Sequence, residues 1–429
     1  MTDTVPIYDP TKGTATPSPT ALEPEETSGP TAPAVSAPGP LAPYPAPGET
    51  PPSTGGGLGG ESLLTTDAEE RVAVATQAQL MWRRFRKHRL AMAGGVAVIL
   101  FYLAVLLAEF LAYADPEASD AQRGLIAPQQ VRLFLDGQFR PHVYAMVGER
   151  DPATFKRVYT EDPTQIIPLT FFSPGFEYML LGFIPLDRHL IGVENANPEE
   201  TLFLLGTDLE GRDMWSRLMY ATRTSLTIGL AAVGVSLVLG VILGGISGFY
   251  GGIVDTVIQR IIEILRSVPT IPLWMGLAAA MPKTWTITQV YFTITIIISL
   301  IGWTELARVV RGRFLSLRQE DFVTAADLVG ASQSRTIFVH MVPLFLSHII
   351  AATTLALPAM VISETALSFL GLGLRPPAIS WGVLLQQAQN VQTVALSPWL
   401  LIPAIPVILV ILAFNFLGDG LRDAADPYS

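Results

Sequence analysis

The sequence predicts an all-α membrane protein with six transmembrane helices and a small external subdomain. Half of its 429 residues are hydrophobic and only 15% are charged, where soluble domains carry about a quarter. Six apolar runs reach the ~20 residues that a helix needs to cross a bilayer. The charge is also segregated: long stretches after residue 223 carry almost none, while acidic residues gather at the N-terminus and in 114–213. The net charge of −10 therefore belongs to aqueous segments and argues against a nucleic-acid partner. With no cysteines, thiolate metal sites and thiol nucleophiles are excluded, and the five scattered histidines show no HExxH spacing. No metal, cofactor-binding or catalytic residue is expected.

Residues 1–60 are rich in Pro, Gly, Ala, Ser, Thr and Glu. They hold too few large apolar side chains to offset the entropy of ordering, and read as a disordered cytoplasmic tail. The tail lacks the basic start and apolar core of a signal peptide. Segment 61–89 follows, with a polar helix over Thr65–Leu80 lying on the membrane surface and then the basic cluster Arg83, Arg84, Arg86, Lys87, His88 and Arg89. Those cations hold that side of the first span, 90–113, in the cytoplasm. The remaining spans read as Ser225–Phe249, Ile253–Met281, Gln289–Val310, Ile349–Leu372 and Trp399–Gly418. Six crossings return the C-terminus to the cytoplasm.

Arg308, Arg311, Arg313, Arg318 and Arg335 make the loop before the fifth span cytoplasmic. Segment 114–222 must then lie outside, since long loops translocate regardless of charge. Within it, Asp136-Gly137 is flanked by Val131–Leu135 and Gln138–Arg140, the pattern of a tight hairpin in a small subdomain of strand and short helix. The five-helix core is 223–429.

Gly240, Gly244, Gly248 and Gly252 recur every four residues, a bare stripe for close helix packing that could also slide. Ionisable groups within spans are costly unless paired or wet, so Arg260, Glu263, Arg266, Glu305 and Glu364 are candidate intramembrane polar contacts. The first three can pair along one face; Glu305 and Glu364 suit interhelical hydrogen bonds. Pro269 and Pro272 should kink the third span. In the cytoplasmic loop, 311–345, Glu320–Val329 forms a short helix ended by Gly330, and an amphipathic Ser334–Val342 precedes Pro343. Two short helices at a fixed angle make a docking element.

That loop resembles the EAA loop of ABC importer permeases, read here as Thr324-Ala325-Ala326, Gly330 and Val342-Pro343, with Asp321 just before it. Three further blocks resemble the C-type permease of the oligopeptide, dipeptide and nickel importers. They are Gly206-Thr207-Asp208-Leu209-Glu210-Gly211-Arg212-Asp213 with Ser216-Arg217, Ser368–Gly373 with Pro376-Pro377 and Ser380-Trp381-Gly382, and Asn415–Asp423 with Asp426-Pro427. Gly371, Gly373 and Trp381 are motif positions in the second block. Thr324 stands where the family has glutamate and Leu344 where it has asparagine. The resemblance implies a type I importer permease that forms a heterodimeric pore with a homologous B-type permease. It also implies two cytoplasmic ATPases, an extracytoplasmic binding protein and a peptide-like substrate, in a bacterial or archaeal plasma membrane.

The chain's only lysines, Lys12, Lys87, Lys156 and Lys283, sit in no GxxxxGK[ST] cradle. ATP and magnesium are accordingly expected on partner subunits, with force arriving through the loop around Ala325 and Gly330. A secondary transporter would need an inverted repeat, and a membrane enzyme a catalytic constellation; neither pattern stands out.

Overall fold

A computed structural model describes residues 77–150, 152, 157–193 and 201–425. The expected tail 1–60 and most of the helix expected over 65–80 lie outside the described residues. Helix α1, Gln77–Lys87, carries the basic cluster; His88 then caps α2, Arg89–Leu106, by accepting from the Ala91 amide. After Leu107 a single turn, α3, covers Ala108–Leu111. The first membrane helix thus ends short of the expected Tyr113. Among the described residues, five helices are long and apolar enough to cross a membrane: α2; α4, Met214–Tyr250; α7, Ile287–Leu317; α9, Leu346–Phe369; and Pro398–Ala425, which follows the short α10, Trp381–Gln386, and contains α11, Ala404–Ala425.

The expected third span is two helices, α5, Gly252–Ser267, and α6, Thr270–Ala279, bent by 85°. The break falls at Pro269, whose ring removes a donor and disfavours helical backbone in the residue before it. Packing decides whether this pair crosses. A Cβ on Gly240 would meet Leu306, one on Gly244 would meet Ala307, and one on Gly248 would meet Phe314 and Arg311. Contacts rise together along both helices, so α4 and α7 are parallel. Parallel neighbours start at the same end, so 252–286 must recross the bundle. The bent pair is one broken crossing, and the described residues hold six spans. Gly252 leaves the predicted stripe: it sits at the turn with positive φ, and a Cβ there would meet nothing.

The other pairs are antiparallel. Val361 of α9 faces Gly229 of α4, and α11 crosses α2 where Gly94 meets Ala413 and Gly420 meets Ala91. Residues 89, 250, 317, 346 and 425 therefore share one end of the bundle. The opposite end carries a four-stranded antiparallel sheet: β1, Arg132–Leu135; β2, Gln138–Arg150; β3, Arg157–Leu180; and β4, Ile184–Val193, in that order. Asp136 and Gly137, both at positive φ, make the β1–β2 turn. Long β3 pairs with β2 through its first half and with β4 through its second. Ile191 and Val193 join Tyr113 around Val143, Ala145, Ile167 and Leu202, seating the sheet on the chain leaving α3.

Helices also run past their expected limits. Asp213 caps α4 twelve residues before Ser225, accepting from the Ser216 amide at 2.7 Å. Helix α7 continues to Leu317, which puts Arg308, Arg311 and Arg313 on a helix rather than in a loop. Both extensions are amphipathic or polar, so an apolar-run reading stops short of them.

Candidate functional site

Three places gather the residues singled out from the sequence. The first is a buried polar network at the sheet end of the bundle. Gly206 and Gly211, both at φ +74, fold 206–213 into a loop around fully buried Thr207 and Asp208. The Thr207 hydroxyl donates to the Arg123 carbonyl at 2.7 Å and accepts from the Ile126 amide at 2.8 Å. Asp208 accepts from the Glu210 and Arg212 amides, from Arg212 Nε at 2.8 Å and from Gln387 at 3.2 Å; Arg217 Nε lies 3.6 Å away. Trp399 donates its indole N–H to the Thr207 carbonyl at 3.0 Å.

Asp213 also accepts from the Tyr113 hydroxyl at 2.6 Å. Burial outweighs these hydrogen bonds and pushes its carboxyl up to about 6. A carboxyl raised on folding favours the fold at low pH, and that contribution is lost as pH rises through about 6. The detergent-solubilised protein should therefore unfold at a lower temperature at pH 8 than at pH 5. Asp213→Asn should flatten that dependence, and an unchanged pH slope in the variant would count against it.

Glu364, fully buried on α9, is the hub of the second block. It accepts from Ser225 of α4 and from Ser368, each at 2.8 Å. Ser225 Oγ in turn accepts from the Trp381 amide at 3.1 Å, and Ser368 Oγ from the Leu374 amide at 3.1 Å. Buried Trp381 also donates its indole N–H to Thr222. Gly371 turns the chain at φ +73, and a Cβ on Gly373 would meet the Ser368 amide at 2.6 Å. Glu364 thus ties α4, α9 and the 371–381 loop together. Glu364→Ala should strand two buried hydroxyls at about 1–3 kcal/mol each. Glu364→Gln should keep most of the thermal stability, and equal losses in the two variants would argue against this role.

A cavity of about 760 Å³ is the second place. Its walls include Arg266, Trp274, Glu305, His348, Met360 and Ser363. Arg266 of α5 pairs with Glu305 of α7. Arg260 pairs instead with Glu263 at 2.7 Å, on an exposed face outside that cavity lining. The expected three-residue ladder is therefore split: only its first two members pair along the helix, because Arg266 reaches across to α7. Asp255 reaches across too, taking both Arg311 bonds at 2.6 Å and joining the ends of α5 and α7.

The third place lies at the opposite end from the sheet. Helix α8, Asp321–Leu328, starts with exposed Asp321. It is seated by Phe322 and Val323 in a cluster with Phe314, Met341 and Phe345. Ala326 is half-buried on the seated side; Thr324 and Ala325 are exposed. Gly330 has φ +80, and the Ala331 amide donates to the Ala326 carbonyl at 3.0 Å, which closes a Schellman cap. Past it, Gln333–Arg335 and a π-helical turn, Thr336–Met341, lead to exposed Pro343. Leu328 and Val329 stand 83% and 88% exposed at the tip.

Residues 236–428 match the family described as binding-protein-dependent transport system inner membrane component. Residues 76–128 match the N-terminal TM domain of oligopeptide transport permease C. The oligopeptide transport system permease protein OppC of Bacillus subtilis (strain 168) is 34% identical over 317 residues, covering 73% of this chain and 95% of that protein. The chain belongs to this family of ABC importer permeases. The dipeptide transport system permease protein DppC of Lactococcus lactis is 31% identical over 367 residues, 84% of this chain and 94% of that protein. OppC of Escherichia coli K12 is 38% identical over 250 residues, 58% of this chain and 80% of that protein. A solved inward-facing MetNI methionine ABC transporter aligns with 48% of this chain and 95% of its own at 16% identity and a TM-score of 0.38.

This permease is a multi-pass inner-membrane protein and a transporter subunit rather than an enzyme, with the ATPase on separate subunits. Sequence reasoning missed the cavity residues Trp274, His348, Met360 and Ser363, which are apolar or singly polar and carry no spacing signal. It also missed Leu328 and Val329, whose hydrophobicity inside a polar loop was the available clue. The Glu109–Arg223 pair joins α3 to α4 across 114 residues and was equally silent.

Proposed function

We propose that this permease imports peptides or related small solutes, forming the translocation path with a homologous second permease. Two ATPases dock on α8 and its exposed tip, an extracytoplasmic binding protein delivers substrate at the sheet end, and both termini are cytoplasmic. The observation that carries the reading is the α8–Gly330 element, seated on α7 and α9 but presenting Leu328 and Val329 to solvent. A soluble partner that covers an apolar tip of this kind can push on the helices beneath it, switching packed elements as rigid bodies.

The cavity supports the peptide class. Arg266 and Glu305 on its walls offer both signs of charge to a zwitterion, beside the apolar faces of Trp274 and Met360. The test is ATP-dependent uptake of a labelled peptide by the complex reconstituted with its binding protein. Accumulation should be abolished without ATP or without this permease. ATP-driven uptake that the complex supports only for a non-peptide solute would overturn the substrate class.

A further inference from the structure

The β3–β4 hairpin has an unusual end. From Tyr178 to Leu186 it reads Tyr-Met-Leu-Leu-Gly-Phe-Ile-Pro-Leu, nine residues without a charge. Tight turns on a soluble surface favour Gly, Asn, Asp and Ser. Here Leu181 and Gly182 take the turn at positive φ, and Met179, Leu181, Phe183 and Ile184 are exposed, Phe183 by 68%. Glu177, Asp187 and Arg188 flank the apolar stretch.

Contacts along one face of β4 give the direction of that tip. Ile191 and Val193 pack with Tyr113 in the sheet core, and His189 Nδ1 lies 3.0 Å from the Glu109 carbonyl. Phe172, on the adjoining stretch of β3, meets the Phe110 ring at 5.9 Å between centroids. Moving from Ile191 to His189 advances ~7 Å along the strand. Moving from Tyr113 to Glu109 retreats ~6 Å along the helix, towards the bilayer. The contacts thus run back along α3 towards the first membrane helix. Six more residues separate His189 from Phe183, a reach on the order of 20 Å. Beyond Glu109 the exposed face of α2 is Leu106, Leu103, Leu100 and Ile99, an apolar surface suited to lipid.

We propose that the Tyr178–Leu186 tip is a membrane wedge, seated in the leaflet at the sheet end of the bundle. Its occupant is the headgroup–acyl boundary of the bilayer, continuous with the lipid-facing surface of α2. The charged residues Glu177, Asp187 and Arg188 mark the headgroup level, with the aromatic cluster of Phe176, Tyr178 and His189 between them and the helix. A hairpin with open edges cannot enter the hydrocarbon core, because its outward amides would go unpaired. The tip therefore lies aslant and shallow, as interfacial elements do at about 5–10 Å. The wedge fixes the sheet at the mouth of the permease without any protein partner.

The absence of cysteine makes the test direct. Phe183→Cys is labelled with an environment-sensitive fluorophore; Thr160→Cys, exposed towards the far end of the same β3 strand, is the comparison site. Labelled before assembly, the single-cysteine permease is then placed, within its complex, in phosphatidylcholine–phosphatidylglycerol vesicles. Nitroxide placed shallowly on the lipid acyl chains should quench the Phe183 label and leave the Thr160 label bright. Aqueous iodide should quench Thr160 at least several-fold more efficiently than Phe183. Equal iodide access would put the tip in water and overturn the proposal. Shielding of the Phe183 label from both quenchers would also overturn it, because a protein surface would then be the occupant. Neither readout depends on transport, so a failed uptake assay would leave this result standing.

Discussion

Gly244→Leu should prevent stable assembly of the helix bundle. A Cβ at Gly244 would lie 2.4 Å from the Ala307 carbonyl oxygen and 2.8 Å from its Cα. Both are backbone atoms, so no side-chain rotation relieves the clash and α4 must move off α7. Even one extra methylene in a packed site costs about 1–3 kcal/mol, and leucine adds three more heavy atoms in the same groove. Without a hydrophobic drive between helices, close packing is most of what holds such a pair in lipid. The expected result is a large fall in monodisperse permease recovered by size-exclusion chromatography, together with a lower melting midpoint. Gly234→Ala is the matched comparison, since a Cβ there meets nothing within 4 Å and should be neutral. Normal recovery and melting of Gly244→Leu would mean that the α4–α7 contact is dispensable.

Replacing Leu328 and Val329 together by aspartate should release the ATPases. Both side chains are almost fully exposed and α8 is held from its other face by Phe322 and Val323, so the permease itself should fold unchanged. At a desolvated interface the loss of an apolar anchor is worth about 2 kcal/mol or more, roughly thirtyfold in affinity. ATPase recovery in pull-down should fall by at least that factor, and uptake should fall with it. Gly330→Val acts through a different link. Its φ of +80 is a conformation a β-branched residue adopts only under strain of about 1–3 kcal/mol. The cap should open and the angle of α8 change while the apolar tip survives. This variant is expected to retain ATPase subunits and hydrolysis yet lose uptake. Normal uptake by both variants would reduce the element to a connector.

These two results divide what was readable early from what was not. The glycine stripe was visible as a four-residue period, but nothing in that period distinguishes Gly244, against a backbone, from Gly252, against open space. The short helix that holds Ala325 and Ala326 was visible as part of a docking element. Which alanine faces outward depends on Phe322 and Val323 finding their cluster across α7 and α9. The pairing of Arg266 was misplaced because spacing along one helix cannot reveal an acid on another.

Hydrophobic length, basic flanks and the turn signals Asp136-Gly137 and Gly330 are local quantities, set by solvation and by φ/ψ sterics. They determined, from the sequence alone, a six-span helical membrane protein with a hairpin in its long loop and a capped short helix before the fifth span; the permease reading came from the resemblance of its motif blocks. Tertiary structure decided what depends on contacts between residues far apart in the chain. Parallel packing of α4 on α7 turned the 85° break at Pro269 into a single crossing. Glu364 became the junction of two serine relays, and the motif positions Asp208 and Thr207 became the anchors of a buried loop. The path of β4 from Tyr113 back to Glu109 aimed an apolar turn at the bilayer. Such outcomes rest on which surfaces meet at van der Waals distance, and a pattern of residue types along one chain does not contain that distance.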